Sequence, residues 1–125
     1  MSRITTARIS LLALSLSIGA GGHRVLAADA VEVAPTHYKV EFENDKVRII
    51  RITYAPGDES ALHDHKNGVV VNLAAYRVQF TAADGTKPPV EPAIPGTFQW
   101  SPADSHAAKN VGNTRAEALY IELKN

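Results

Sequence analysis

Three histidines of this chain have the spacing that a metal site requires. His63 and His65 are separated by a single residue, Asp64. In a β-strand, residues i and i+2 point to the same face, so both imidazoles can reach one ion while Asp64 points away. The third ligand must come from another strand, and His106 lies on one, just after a turn that contains Pro102. Neutral imidazole suits zinc, iron, nickel, copper or manganese, and three protein ligands leave coordination positions open.

A His-x-His pair alone is more typical of two polar surface residues than of a metal site, so the neighbouring residues decide between the two interpretations. Five residues separate Gly57 from His63, and this stretch resembles the first motif of the cupin superfamily, G-x5-H-x-H-x3,4-E-x6-G. A second stretch resembles the second cupin motif, G-x5-P-x-G-x2-H-x3-N, through Gly96, Pro102, His106 and Asn110. The 30 residues between His65 and Gly96 are within the range that cupins use.

The resemblance covers roughly Val47 to Leu123 and implies a fold and a site. Cupins are all-β proteins with a double-stranded β-helix, or jelly roll, and a metal or small-molecule pocket inside the barrel. By this resemblance His63, His65 and His106 hold a divalent transition metal, either iron, manganese, nickel or zinc.

Two departures from the motifs affect that prediction. The metal-binding Glu of the first motif falls at Val69 or Val70, and neither side chain can ligate. In the second motif Asp104 stands at the Gly position, where a left-handed backbone is expected, and His106 comes one residue early. The ligand set is therefore three histidines without a carboxylate. Some cupin dioxygenases, such as the thiol and diketone types, resemble this set, whereas other cupins have lost the metal.

Three functions follow from this resemblance. The first is a metal-dependent oxygenase acting on a small organic substrate. The second is a non-catalytic module that binds a small molecule, and the third is a dimerising module with a vestigial metal site, in which the free edge strand from Tyr38 to Phe42 pairs between subunits. No residue declares itself as a general base, which weakens a hydrolase or isomerase interpretation.

The elements that position these residues are short strands. Apolar and polar residues alternate through most of the chain after residue 30, and turn residues recur at intervals of about 8–12 residues, as in sandwiches and barrels. Leu119, Ile121 and Leu123 are expected to face inward. Phe98 and Trp100 are expected in the core or, with Asn72, in the wall of a ligand pocket.

The first 27 residues have the pattern of a secretory signal peptide. Arg3 and Arg8 precede an apolar run from Ile9 to Ala20, Gly21 and Gly22 break it, and Val25 and Ala27 are tolerable residues at the −3 and −1 positions of a cleavage site. The run is shorter than the roughly 20 residues that span a bilayer. We therefore expect cleavage after Ala27 or Ala28, a periplasmic or secreted location, no membrane contact after removal, and a single domain over residues 28–125. A buried N-terminal helix is the alternative.

Composition limits the other functions and kinds of site that the protein can have. The chain of 125 residues is long enough for one domain. Thirteen basic and thirteen acidic residues give no net charge, and no basic cluster is present, so nucleic acid is not an expected partner. The absence of cysteine excludes disulfides, cysteine-bound zinc and thiol nucleophiles.

Overall fold

The computed structural model describes residues 27–124, which form nine strands and one short helix. In chain order these are α1 Ala30–Val33, β1 Tyr38–Glu43, β2 Val47–Tyr54, β3 Glu59–His65, β4 Gly68–Asn72, β5 Tyr76–Ala82, β6 Pro92–Ala93, β7 Phe98–Ser101, β8 Asp104–Asn110 and β9 Ala116–Leu123. Alternation and turn residues predict most of these strands to within two residues. The proline-rich stretch before Gly96 contributes only the two-residue β6, because proline cannot donate to a ladder.

Two antiparallel sheets enclose the core. The five-stranded sheet has the order β1-β2-β9-β4-β7, and the four-stranded sheet has the order β3-β8-β5-β6. Side chains from both sheets fill the space between them, among them Ile50, Tyr54, Val78 and Tyr120. The predicted all-β class is confirmed, and β1 lies at a sheet edge as expected.

The inner face of β9 differs from the prediction. Ala118, Tyr120 and Glu122 are buried, whereas Leu119, Ile121 and Leu123 lie on the outer face, so the expectation that these three point inward is wrong. Glu122 can be buried because the Arg48 guanidinium lies 2.6 Å from its carboxylate.

A bulge turns the end of β1 outward. Tyr38 is buried, but the register with β2 shifts between Val40 and Phe42, so that Phe42 pairs with Ile49. Phe42 is therefore half exposed instead of sharing the inner face with Tyr38, as simple alternation predicts.

The described chain begins in contact with β3. The Asp64 amide donates to the Ala28 carbonyl at 2.9 Å. Asp29 caps α1 by accepting from the Val31 amide at 2.9 Å, and it pairs with Arg48 at 2.5 Å. Alternation does not predict this short helix.

The proposed signal peptide lies, except for its last residue, outside the described residues. No helix within residues 27–124 has the length and apolar character needed to cross a membrane.

Residues of the two cupin-like motifs meet at one end of the barrel. Gly57 and Gly96 both have positive φ angles, 84° and 81°, which glycine adopts without strain. The Gly57 amide donates to the Asn110 carbonyl at 3.0 Å. The Asn110 side-chain amide donates to the carbonyls of Tyr54 and Thr114, so this residue satisfies backbone groups.

Candidate metal centre

The three predicted ligands come together between the sheets. His63 and His106 are directly opposite in the antiparallel ladder of β3 and β8. A register shift between Ser60 and His63 precedes this pair. One ring nitrogen from each of His63, His65 and His106 lies within 4.8 Å of the others. The pair that the i, i+2 rule predicts, and the approach of His106 that the cupin-like motifs imply, are therefore both present.

Burial keeps these imidazoles neutral. His63 is fully buried and His65 is 5% exposed. Burial lowers the pKa of His63 and His106, and burial together with the neighbouring His106 and His63 lowers the pKa of His65 to about 3. Neutral imidazole is the form that ligates a metal, so all three rings are ready to bind at neutral pH.

Hydrogen bonds orient two of the rings. His63 donates from Nδ1 to the Ala61 carbonyl at 2.8 Å, and His106 donates from Nδ1 to the Asp104 carboxylate at 3.1 Å. Both arrangements leave Nε2 as the acceptor, as in metal sites whose histidines are held by outer partners. Asp104 does not adopt the expected left-handed backbone, because it begins β8 and no described non-glycine residue has a positive φ.

The third ring has an unsatisfied nitrogen. His65 Nδ1 is buried and has no hydrogen-bond partner. The ring is stacked on Tyr120, with centroids 4.8 Å apart and an interplanar angle of 9°. A buried polar atom without a partner is costly, and a metal ion bound at this nitrogen would offset that cost. The residues present therefore fit a transition metal.

Tyr38 contacts the cluster, although the sequence patterns do not indicate it. Its buried hydroxyl lies 3.0 Å from His63 Nε2 and donates to it, because Nδ1 carries the ring proton. The Tyr54 hydroxyl lies 2.6 Å from the Tyr38 hydroxyl and 2.8 Å from Ser60 Oγ. Burial raises the pKa of Tyr38 well above its usual range, so the hydroxyl is protonated here. The sequence offers only a weak indication of this contact, which is that a buried tyrosine needs a hydrogen-bond partner for its hydroxyl.

A cavity of about 230 Å³ opens beside the histidines. Its wall is mostly aliphatic and aromatic, with Ile52, Val70, Val78 and Phe80 among the apolar residues. His65 and His106 face it at one end, and Asp104 is the acidic side chain bonded to His106. No lysine or arginine of residues 27–124 lines the cavity.

The three residues expected in a pocket wall lie elsewhere. Asn72 is buried, accepts from the Tyr76 hydroxyl at 2.5 Å and donates to Thr97 Oγ1 at 3.1 Å, which is a structural role outside the cavity wall. Phe98 and Trp100 are 75% and 56% exposed on the outer face, so the core and pocket expectations for them are wrong. The physical reason is the pairing of β7 with β4, which turns the alternate residues of β7, Gln99 and Ser101, toward the cavity.

His37 is separate from the cluster. It is only partly exposed. Its Nδ1 lies 2.9 Å from the Thr53 carbonyl, and its ring is stacked on Tyr54 at 4.2 Å between centroids.

Comparison with known proteins identifies the architecture. No protein-family profile and no curated protein matches the sequence. A cupin domain from Bordetella pertussis is similar with a TM-score of 0.64 and 22% identity, over 70% of this chain and 92% of that one. A double-stranded β-helix protein from Klebsiella pneumoniae gives 0.53 at 17% identity, over 70% and 83%. A cupin superfamily protein from Desulfitobacterium hafniense gives 0.50 at 20% identity, over 70% and 76%. The chain therefore has the cupin fold, a double-stranded β-helix, as the two motifs in its sequence predict.

Proposed function

We propose that this protein binds one divalent transition metal through His63, His65 and His106 and uses it to oxidise a small, uncharged and mostly apolar organic molecule. The observation that carries the proposal is the meeting of three neutral imidazoles, two of them buried, of which His65 and His106 line a cavity. The unpartnered nitrogen of His65 supports it, because an apolar structural role would leave this atom unsatisfied.

The character of the cavity supports the substrate class. The wall is largely apolar, and no basic side chain of the described residues lines it, so carboxylates and phosphates would find no counter-charge. A volume of about 230 Å³ limits the ligand to a small molecule. A metal held beside this cavity would orient one polar group of the substrate through its open coordination positions.

A bound divalent ion of this kind supplies Lewis acidity and open coordination positions for a substrate and O₂. The residues of the chain hold and shield that centre. Ala61 and Asp104 fix the orientation of two ligand rings, and the apolar wall excludes water from the substrate.

Metal loading tests the first half of the proposal. The purified protein, stripped with a chelator, is titrated in turn with Fe(II), Mn(II), Ni(II) and Zn(II), with bound metal and melting temperature as readouts. A ligand that binds only the folded state at 100 times its Kd adds about 2.7 kcal/mol of stability. His63→Ala or His65→Ala should remove both metal and the added stability, whereas the control His37→Ala should remove neither. A wild-type protein that takes up none of the four ions contradicts metal binding.

Oxygen uptake tests the second half. The Fe(II)-loaded protein is supplied with acetylacetone or 2-mercaptoethanol as uncharged diketone and thiol probes, and O₂ consumption is compared with that of the His106→Ala variant. Consumption that depends on both the metal and the probe supports an oxygenase. Probe binding without O₂ uptake favours the alternative, a non-catalytic module that holds a small molecule.

We also propose export, with the mature chain beginning at Ala28. The Ala28 carbonyl accepts a hydrogen bond from Asp64, so cleavage after Ala27 preserves every described contact of the domain from Ala28 onward, whereas cleavage after Ala28 removes this bond. The intact mass of protein recovered from the periplasm should show the loss of residues 1–27. A full-length chain retained in the cytoplasm contradicts export.

A further inference from the structure

Tyr38 reaches the histidine cluster from the opposite sheet. It lies on β1 of the five-stranded sheet, whereas His63 lies on β3 of the other. The Tyr38 side chain is 2% exposed and lines the cavity, and its hydroxyl oxygen lies 3.0 Å from His63 Nε2. We propose that Tyr38 supplies a fourth protein ligand, an oxygen, to the metal that the three histidines hold. This inference rests on the proposed metal binding.

The position of the Tyr38 oxygen fits that role. With metal–ligand bonds of about 2.0–2.1 Å, two neighbouring ligand atoms at angles between about 90° and 109° lie roughly 2.9–3.4 Å apart. The observed 3.0 Å between the Tyr38 oxygen and His63 Nε2 falls within that span. No Asp or Glu of the described residues joins the cluster, so an oxygen ligand from the protein has to be of another type.

The partners of Tyr38 also fit a ligand. The Tyr54 hydroxyl is 2.6 Å away, and it can donate to the Tyr38 oxygen whether or not that oxygen binds a metal. Such a bond favours an electron-rich oxygen. On coordination the oxygen exchanges its proton for the metal, and the proton passes to solvent through the cavity. Tyr38 thereby occupies the role that a carboxylate at Val69 or Val70 would have had.

Loading the protein with Cu(II) gives a readout that is independent of activity. Copper binds nitrogen and oxygen sites most tightly among the divalent first-row metals, and a coordinated tyrosine oxygen produces a ligand-to-metal charge-transfer band in the visible that imidazole does not produce. We expect this band in the wild type, its loss in Tyr38→Phe, and a fall of about 100-fold in metal affinity, at or above the upper end of the 10–100-fold typical of outer partners.

Tyr120→Phe is the matched control. Tyr120 stacks on His65, but its hydroxyl donates to the Lys66 carbonyl at 2.6 Å, so this variant should keep the band. A wild-type protein that binds Cu(II) without the band, or a Tyr38→Phe variant that binds the metal as tightly or more tightly, overturns the tyrosine ligand and leaves the three histidines in place. A wild type that binds no metal overturns both proposals. The wild-type spectrum decides the matter even if Tyr38→Phe does not fold.

A second observation concerns the opposite side of the five-stranded sheet. The strand registers align an apolar row across all five strands: Phe42, Ile49, Ile121, Val69 and Trp100. A parallel row adds Leu119, Val71 and Phe98. We name these eight residues the outer apolar face, and we infer that it binds the same face of a second copy of this chain.

The exposed area is of the size that a dimer needs. Phe98, Trp100 and Phe42 are 75%, 56% and 50% exposed. At about 150–250 Å² for each aromatic side chain, they alone expose roughly 300–450 Å². The five aliphatic residues add to this, so the face supplies about half or more of the roughly 800 Å² that each partner buries in a standard interface.

The charges near the face favour a like partner over a charged one. None of the eight residues is charged, and Arg51, which continues the second row beside Leu119, is paired with Glu41 and Glu117, while Lys39 lies beyond it on the edge strand β1. Two copies would therefore meet without like-charge repulsion, and two twisted sheets stack about 10 Å apart.

Light scattering coupled to gel filtration, on protein produced from the full chain, tests the dimer. We expect a dimer whose dissociation constant rises about 30-fold or more in Trp100→Glu, because this variant replaces a large aromatic contact with a charge that has no partner in the interface. The control Val111→Glu changes an apolar residue that is 49% exposed outside this face, and it should remain dimeric. A wild-type protein that is monomeric at 100 μM overturns the inference, and this includes a monomer in which retained residues 1–26 cover the face. A dimer that Trp100→Glu leaves unchanged overturns it too.

Discussion

Acidification should destabilise the metal-free protein well above the pH at which its carboxylates titrate. The buried imidazoles have pKa values below the usual 6.5, and that of His65 is about 3. Between these two values the unfolded chain binds more protons than the folded one, so stability rises with pH. The stability is complete above about pH 6.5 and is lost as the pH falls toward the folded-state values.

The pKa of His65 sets the magnitude. A pH of 5 is about 1.5 units below the pKa of ~6.5 that an imidazole has in the unfolded chain, so that imidazole is protonated. The folded-state His65, with a pKa of about 3, is still neutral at this pH. At 1.36 kcal/mol per unit, this single group lowers the free energy of unfolding by about 2 kcal/mol between pH 7 and pH 5. His63 and His106 act with the same sign. For a domain with about 5–15 kcal/mol in total, the loss is large.

Urea unfolding at pH 7, 6 and 5, with a chelator present, measures this loss. Unperturbed Asp and Glu carboxyls titrate near pH 4, so this range isolates the histidines. His65→Gln should reduce the dependence on pH by about 2 kcal/mol over the range. His37→Gln, which changes a histidine outside the cluster, should retain the wild-type dependence. Equal free energies of unfolding at pH 7 and pH 5 in the wild type would refute the reasoning, as would a His65→Gln variant with the full wild-type dependence.

Two further pairs of substitutions follow from the surroundings of each residue. Val70 lines the cavity and Val69 lies on the outer face, so Val70→Glu should raise metal affinity about 10-fold or more in a calorimetric titration, whereas Val69→Glu should not raise it. Arg48→Ala leaves the buried Glu122 without its guanidinium and should cost about 3–5 kcal/mol in urea unfolding. Arg51→Ala breaks only partly exposed pairs and should cost less than about 1 kcal/mol, and an Arg51 variant that loses as much stability as the Arg48 variant would contradict this view.

The strands and the histidine pair could be predicted because both depend on local patterns. Alternation and turn residues mark where a strand begins and ends, and the i, i+2 rule places His63 and His65 on one face whatever the rest of the fold is. The approach of His106 was predicted only through the cupin-like motifs, since the pairing of β3 with β8 is long-range.

The choice of faces could not be predicted in β9, because hydrophobicity alone favours the wrong register. Leu119 and Ile121 are more apolar than Ala118 and Glu122, yet the latter two face inward. Two facts of tertiary structure reverse the preference. Arg48 pairs with Glu122 across the β2–β9 ladder, and small residues such as Ala118 leave room for the cavity.

Tyr38 illustrates the same limit at the candidate site. It precedes His63 by 25 residues, it lies outside both motifs, and its alternation pattern predicts only a strand. Its contact with His63 exists because β1 and β3 belong to opposite sheets that face each other across the core. The bulge after Val40 then matters for both proposed sites, since it lets one short strand place Tyr38 against the histidines and Phe42 on the outer apolar face. A strand without a bulge would put both aromatic rings on the same side, so this single irregularity connects the proposed metal centre to the proposed dimer interface.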